Sequence, residues 1–159
     1  MALKNNRYEF ATDISYFMNE VATRGGIASV STVGSGAALD QSAALVTYAA
    51  NSSGAVPRGM LLNDMVNLDL TRQHLNHHRD EVQLGGKVTL GVKGWWLTDM
   101  IVGTPAAGDY AVLTSSGYVT PLTAANFNSN TWAKAVAPMV GKFWSKKDED
   151  GYAKVFVDL

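Results

Sequence analysis

The sequence predicts a mainly β protein, a compact β-barrel or β-sandwich preceded by an N-terminal arm that carries a short helix. Three observations predict it. From Asp80 to Leu122, Val88, Leu90, Val92, Trp96, Ile101, Val112, Leu113 and Val119 form short β-branched and aromatic runs. Gly85-Gly86, Gly91, Gly94, Gly103, Gly108 and Gly117 separate those runs and read as bends. The last strand alternates cleanly, with Ala153, Val155, Val157 and Leu159 on one face and Tyr152, Lys154, Phe156 and Asp158 on the other. Phe156 on the second face indicates that this side is not fully solvated. Residues 1–24, in contrast, carry a helical spacing, so residues 1–26 are assigned to the arm and 27–159 to the β-rich domain.

In the arm, Ile14, Phe17, Met18 and Val21 fall at i, i+3, i+4 and i+7, one apolar helix face. Asp13 or Thr12 would cap this helix and Gly25-Gly26 would end it. A helix of about 11 residues is not stable alone in water, so it must dock on its own domain or on a partner. Residues 27–57 are rich in Ala, Ser and Gly, and Leu45-Val46-Thr47-Tyr48 is their best strand. Met60-Leu61-Leu62 and then Val66, Leu68 and Leu70, alternating with Asn67, Asp69 and Thr71, read as strand. The stretch "TRQHLNHHRDEV" is polar and fits a helical turn or an exposed loop. Two hairpins follow, one turning at Ser115-Ser116-Gly117 with the glycine at the positive-φ position, the other around Lys147–Gly151. No internal repeat points to a solenoid or propeller.

At 159 residues with 47% hydrophobic content the chain has enough apolar material for one domain with a real core. Only 17% of residues are charged, against a typical quarter. That fits either a surface covered by another chain or one rich in Ser, Thr and Asn. The net charge of −1 gives no pull towards nucleic acid or an anionic membrane. There is no cysteine, which excludes disulfides and thiolate metal sites and leaves the redox compartment open. No apolar run is long enough to span a bilayer, and "MALKNNRYEF" lacks a signal-peptide core, so a soluble, unsecreted product is expected.

The patterns that carry chemistry are weak. His74, His77 and His78 form H-x-x-H-H, and with Asp80 or Glu81 they could share a metal. The glutamate of an H-E-x-x-H site is missing, and a polar exposed segment is the simpler account. Gly86-Lys87 is followed by Val88 and a strand, not by Ser or Thr and a helix, so no phosphate loop is present. No serine lies in G-x-S-x-G. Asp148, Glu149 and Asp150 cluster on a turn tip, where solvation explains them, although the tip could loosely hold a cation. No enzyme activity and no cofactor is expected. Trp95 and Trp96 must face opposite ways on a strand, so one enters the core. The other either lines a second apolar surface with Tyr110 or Tyr118, or is half-covered by Lys93 or a loop. An exposed tryptophan also leaves a carbohydrate platform open.

The run "GGKVTLGVKGWWLTD", followed by "GTPAAGDYAVLTSSGYVTP" and "VGKFWSKKDEDGYAKVFVDL", resembles the capsid decoration (cement) proteins of tailed bacteriophages. The shared style is a Gly-Asp-x-Ala-x-Leu strand, here Gly108, Asp109, Ala111 and Leu113, then a Gly turn and a Val-Thr-Pro strand at Val119–Pro121. The likeness covers roughly residues 37–159. It implies a β-barrel or β-sandwich homotrimer on the outside of an icosahedral shell, bridging neighbouring major capsid protein subunits. No catalytic or cofactor residue carries over, and neither nucleic acid nor membrane is an implied partner. On this reading the arm residues Tyr8, Phe10, Ile14, Phe17 and Met18 contact the capsid, and Trp95, Trp96 and Tyr110 pack between subunits. Another virion module (head fibre, tail or adaptor protein) and a carbohydrate-binding module are the alternatives.

Overall fold

The computed structural model describes residues 3–31, 44–64, 68–69, 74–75, 81–122 and 138–159. The strands are β1 (Leu3–Asp13), β2 (Phe17–Met18), β3 (Ala22–Thr23), β4 (Ile27–Val30), β5 (Leu45–Thr47), β6 (Pro57–Asp64) and β7 (Leu68–Asp69). They continue with β8 (His74–Leu75), β9 (Glu81–Val82), β10 (Val88–Thr98), β11 (Tyr110–Leu113), β12 (Val119–Pro121), β13 (Met139–Phe143) and β14 (Ala153–Asp158). Ten of them form one mixed sheet in the order β12-β11-β13-β14-β10-β6-β4-β5-β2, with β1 added to β10. Two small pairs, β3-β9 and β7-β8, lie outside it. The fold is therefore mainly β, as expected, but the described strands close no barrel.

The centre of the sheet is β10, an 11-residue strand as long as β1. Gly94 pairs with Glu9 of β1 and with Val157 of β14, while Gly91 pairs with Thr12 of β1 and Met60 of β6. A strand has only two edges, so β14 and β6 follow each other along one edge of β10 and β1 runs along the other. Among the described residues nothing pairs with the outer edge of β1.

Apolar residues cover both faces of β6. Met60 and Leu62 join a cluster with Ile27, Trp96, Leu113, Phe143, Val155 and Val157, and Leu61 joins a second one with Met18, Ala28, Val46, Val88 and Leu90. Along β10 the alternation slips. Leu90 faces the second cluster and Trp96 the first, although six residues of regular strand would put them on one face. The register with β1 shifts between Ala11 and Thr12, as a bulge requires. Gly91 and Gly94 lie inside this strand and not at bends, which corrects the sequence reading. Their reason is space: a Cβ on Gly91 would run into the Trp96 indole, and one on Gly94 would run into the Tyr8 backbone oxygen of β1 and then into that indole. Gly85, Gly103, Gly108 and Gly117 do occupy positive-φ positions outside the strands.

The helix expected over residues 13–24 is not formed. Its place is taken by β2 and β3. The backbone donors find other partners: Phe17 N–H donates to Ala44 O, Met18 to Gly86 O and Asn19 to Val46 O. Tyr16, Phe17, Val21 and Thr23 have poor helix propensity, and the isolated segment is too short to hold a helix against these partners. Both expected hairpins are present, β11 with β12 through a 3₁₀ turn at Ser115–Gly117 and β13 with β14.

Tyr48 ties the start of β4 to the β11–β12 turn. Its hydroxyl accepts from Gly26 N–H (3.0 Å) and donates to Thr23 O. A Cβ on Gly26 or Gly117 would meet its ring. Burial pushes the Tyr48 phenol well above its ordinary pKa, opposed by the Gly26 hydrogen bond.

Candidate functional site

Period-2 alternation on β14 sends Ala153, Val155 and Val157 into the core and Lys154, Phe156 and Asp158 outward. The antiparallel registers then build a row across that outer face. Tyr110 lies opposite Lys142, Lys142 opposite Phe156, Phe156 opposite Trp95, and Trp95 opposite Tyr8. Directly opposed residues share a face, so these side chains form one stripe over β11, β13, β14, β10 and β1. At a strand spacing of about 4.8 Å the row is about 19 Å long.

Other side chains widen the stripe. Trp144 stacks on Phe156 with ring centres 4.9 Å apart and planes 1° from parallel. Phe10 packs edge-on to Tyr8 at 4.6 Å. Lys142 Nζ lies 4.8 Å from the centre of the Tyr110 ring, and Lys154 Nζ lies 3.9 Å over Trp95. The stripe stays open, with Tyr8 53% and Tyr110 45% exposed at its ends and Phe10 60% and Trp144 48% beside it. Aromatic pairs of this geometry hold each other in place by about 0.5–1.5 kcal/mol, so the rings form an ordered surface without being buried.

At one margin Lys4 Nζ contacts Asp148 (3.4 Å) and Asp150 (3.2 Å) and lies 4.0 Å over the Tyr152 ring. This contact ties the start of β1 to the β13–β14 turn. Desolvation works against the Lys4 charge, but the hydrogen bonds with Asp150 and Asp148 outweigh it and raise its pKa. The Tyr152 backbone N–H, followed by Lys4, holds the Asp148 carboxyl below the usual carboxylate range despite some desolvation.

The stripe gathers Tyr8, Phe10, Trp95 and Tyr110, which the sequence placed in two separate groups. It does not include Ile14, 45% exposed beyond the end of β1, or the half-buried Phe17, which has Lys87 Nζ 5.7 Å from its ring. Met18 and Trp96 are fully buried. Their side chains already pack inside this chain, and Trp96 Nε1 has no hydrogen-bond partner among the described residues. Parity on β10 correctly separates Trp95 from Trp96, although the residue that covers Trp95 is Lys154 and not Lys93. Trp144 and Lys142 were missed as site residues, since only strand register brings them beside Phe156.

His77, His78 and Asp80 lie outside the described residues, and His74 is placed in β8 by its backbone. Among the described residues no group of His, Asp and Glu is arranged to hold a metal, and no helix is long and apolar enough to cross a membrane. No protein-family profile matches the chain, and no curated protein is significantly similar to it.

Proposed function

We propose that this chain is a structural virion protein that binds the outside of an icosahedral phage capsid and cements neighbouring major capsid subunits, acting as a homotrimer. The single observation that carries the docking part of this reading is the aromatic stripe, held in register by the strands and ending on the open edge of β1. Surface aromatics of this kind are the usual energetic centres of protein interfaces. The resemblance of the Gly108–Pro121 hairpin to decoration proteins supplies the kind of partner.

The energetics favour a multivalent binder. Covering about 400 Å² of apolar surface yields about 10 kcal/mol gross at about 25 cal/mol per Å². Association costs about 4–15 kcal/mol, so one protomer binds weakly. A trimer engages three equivalent sites at once and converts weak contacts into stable decoration.

Co-sedimentation with expanded, DNA-free shells tests the reading. The unaltered protein pellets with shells, and Tyr8→Ala/Trp144→Ala binds about tenfold more weakly while melting normally. An unaltered protein that stays in the supernatant refutes it. A second reading, a carbohydrate-binding module, draws on the open Trp144 ring, and quenching of tryptophan fluorescence by neutral oligosaccharides would favour it.

A further inference from the structure

The stripe holds two cations that no carboxylate of the described chain answers. Around them, basic groups on the same strands are matched internally: Lys93 with Asp158 (2.9 Å), Arg7 with Glu9 (2.9 Å) and Lys4 with Asp148 and Asp150. Lys142 and Lys154 instead rest on aromatic rings in the middle of the surface. An ammonium on a ring face keeps much of its capacity for a carboxylate, and covering the stripe would strand both charges away from water unless the partner supplied their counter-ions.

We propose that the occupant of the stripe is an extended segment of the shell protein that presents two carboxylates, to Lys142 and Lys154, and apolar side chains to the rings between them. This rests on the docking reading and specifies the partner's chemistry. Lys142 lies opposite Phe156, and Lys154 is two residues from Phe156 along β14. Their ammoniums diverge from there to the Tyr110 and Trp95 rings, which stand three strands apart in the row, or about 14 Å. Carboxylates at i and i+4 of an extended chain, about 14 Å apart and on one face, match that spacing and leave the i+2 side chain for the Phe156 ring between them. A polyanion such as an acidic glycan or single-stranded DNA fits less well. Polyanion binding draws on a row of unmatched cations, whereas here the flanking ones are neutralised and the net charge of the chain is −1.

The test compares the unaltered protein with Lys142→Glu/Lys154→Glu, Lys142→Gln/Lys154→Gln and Lys142→Arg/Lys154→Arg. Binding to expanded shells is measured from about 50 to about 500 mM salt, with far-UV circular dichroism to confirm folding. Alginate and oligo-dT serve as polyanion probes. The expected result is an affinity loss of about tenfold for the Glu pair, an intermediate loss for the Gln pair, and retention by the Arg pair. The salt dependence seen with the unaltered protein should flatten in the Gln pair. Shell binding by the Glu and Gln pairs at the unaltered level overturns the inference while leaving docking intact. Tighter binding to alginate or oligo-dT than to shells also overturns it, and failure of the unaltered protein to bind shells removes the docking reading and the inference together.

Discussion

Replacing Gly91 with alanine tests the packing that makes β10 the backbone of the stripe. A Cβ at this position points at three atoms of the Trp96 indole, all closer than van der Waals contact permits. The indole cannot move aside, because it is fully buried and its far ring atom already touches the space beside Gly94. Gly→Ala in a strand normally gains about 0.5–1 kcal/mol of backbone entropy. Overpacking a full core costs about 1–3 kcal/mol, and the rigid partner places this site at the upper end, for a net loss of about 2 kcal/mol. Trp96→Leu removes the obstacle and alone costs about 2–4 kcal/mol through lost burial. In the double variant the alanine methyl enters vacated space, so the two losses fail to add by about 2 kcal/mol. Urea unfolding at unchanged m-value measures each corner of the cycle. Additive losses, or a Gly91→Ala protein as stable as its parent, would refute the claim that Gly91 exists to seat Trp96.

Two polar contacts, at Tyr48 and at Lys4, give further testable outcomes. Tyr48→Phe leaves Gly26 N–H and Thr23 O without their partner and should cost about 1–3 kcal/mol in urea unfolding. Because the folded phenol ionises only above its ordinary pKa, its contribution is present below about pH 10 and lost as pH rises further. The parent should therefore lose stability in alkali more steeply than Tyr48→Phe, as read from melting temperatures. Lys4→Ala should speed hydrogen exchange at the start of β1, opposite Leu97 and Thr98, with little change in global melting. In the parent the same protection should hold above the ordinary carboxylate range and vanish as pH falls through the lowered pKa of Asp148.

Local pattern carried the sequence reading where residues answer mainly to their own strand. The alternation of β14, the turn at Ser115–Gly117 and the opposite senses of Trp95 and Trp96 are all period-2 or turn-chemistry signals, and each has its counterpart in the fold. The reading failed where tertiary partners decide. Ile14, Phe17, Met18 and Val21 satisfy a helical spacing, yet Ala44, β5 and the turn at Gly85-Gly86 capture the backbone of residues 17–19, with Phe17–Met18 as strand. Gly91 and Gly94 look like bends in a linear string, because nothing local says that the Trp96 indole will lie across Gly91 or that the β1 backbone at Tyr8 will close on Gly94. The stripe was visible only in fragments. Phe156 on a polar face was the one local clue, and its meeting with Lys142, Trp95 and Tyr8 depends on long-range register.

Electron cryo-microscopy of expanded shells with and without the purified protein tests the central claim most directly. The account predicts added three-fold density on the outer surface of the shell, with the sheet oriented so that Tyr8, Trp144, Phe156 and Tyr110 face the major capsid protein. Shells that gain no density, or density in which that stripe faces solvent, would contradict it.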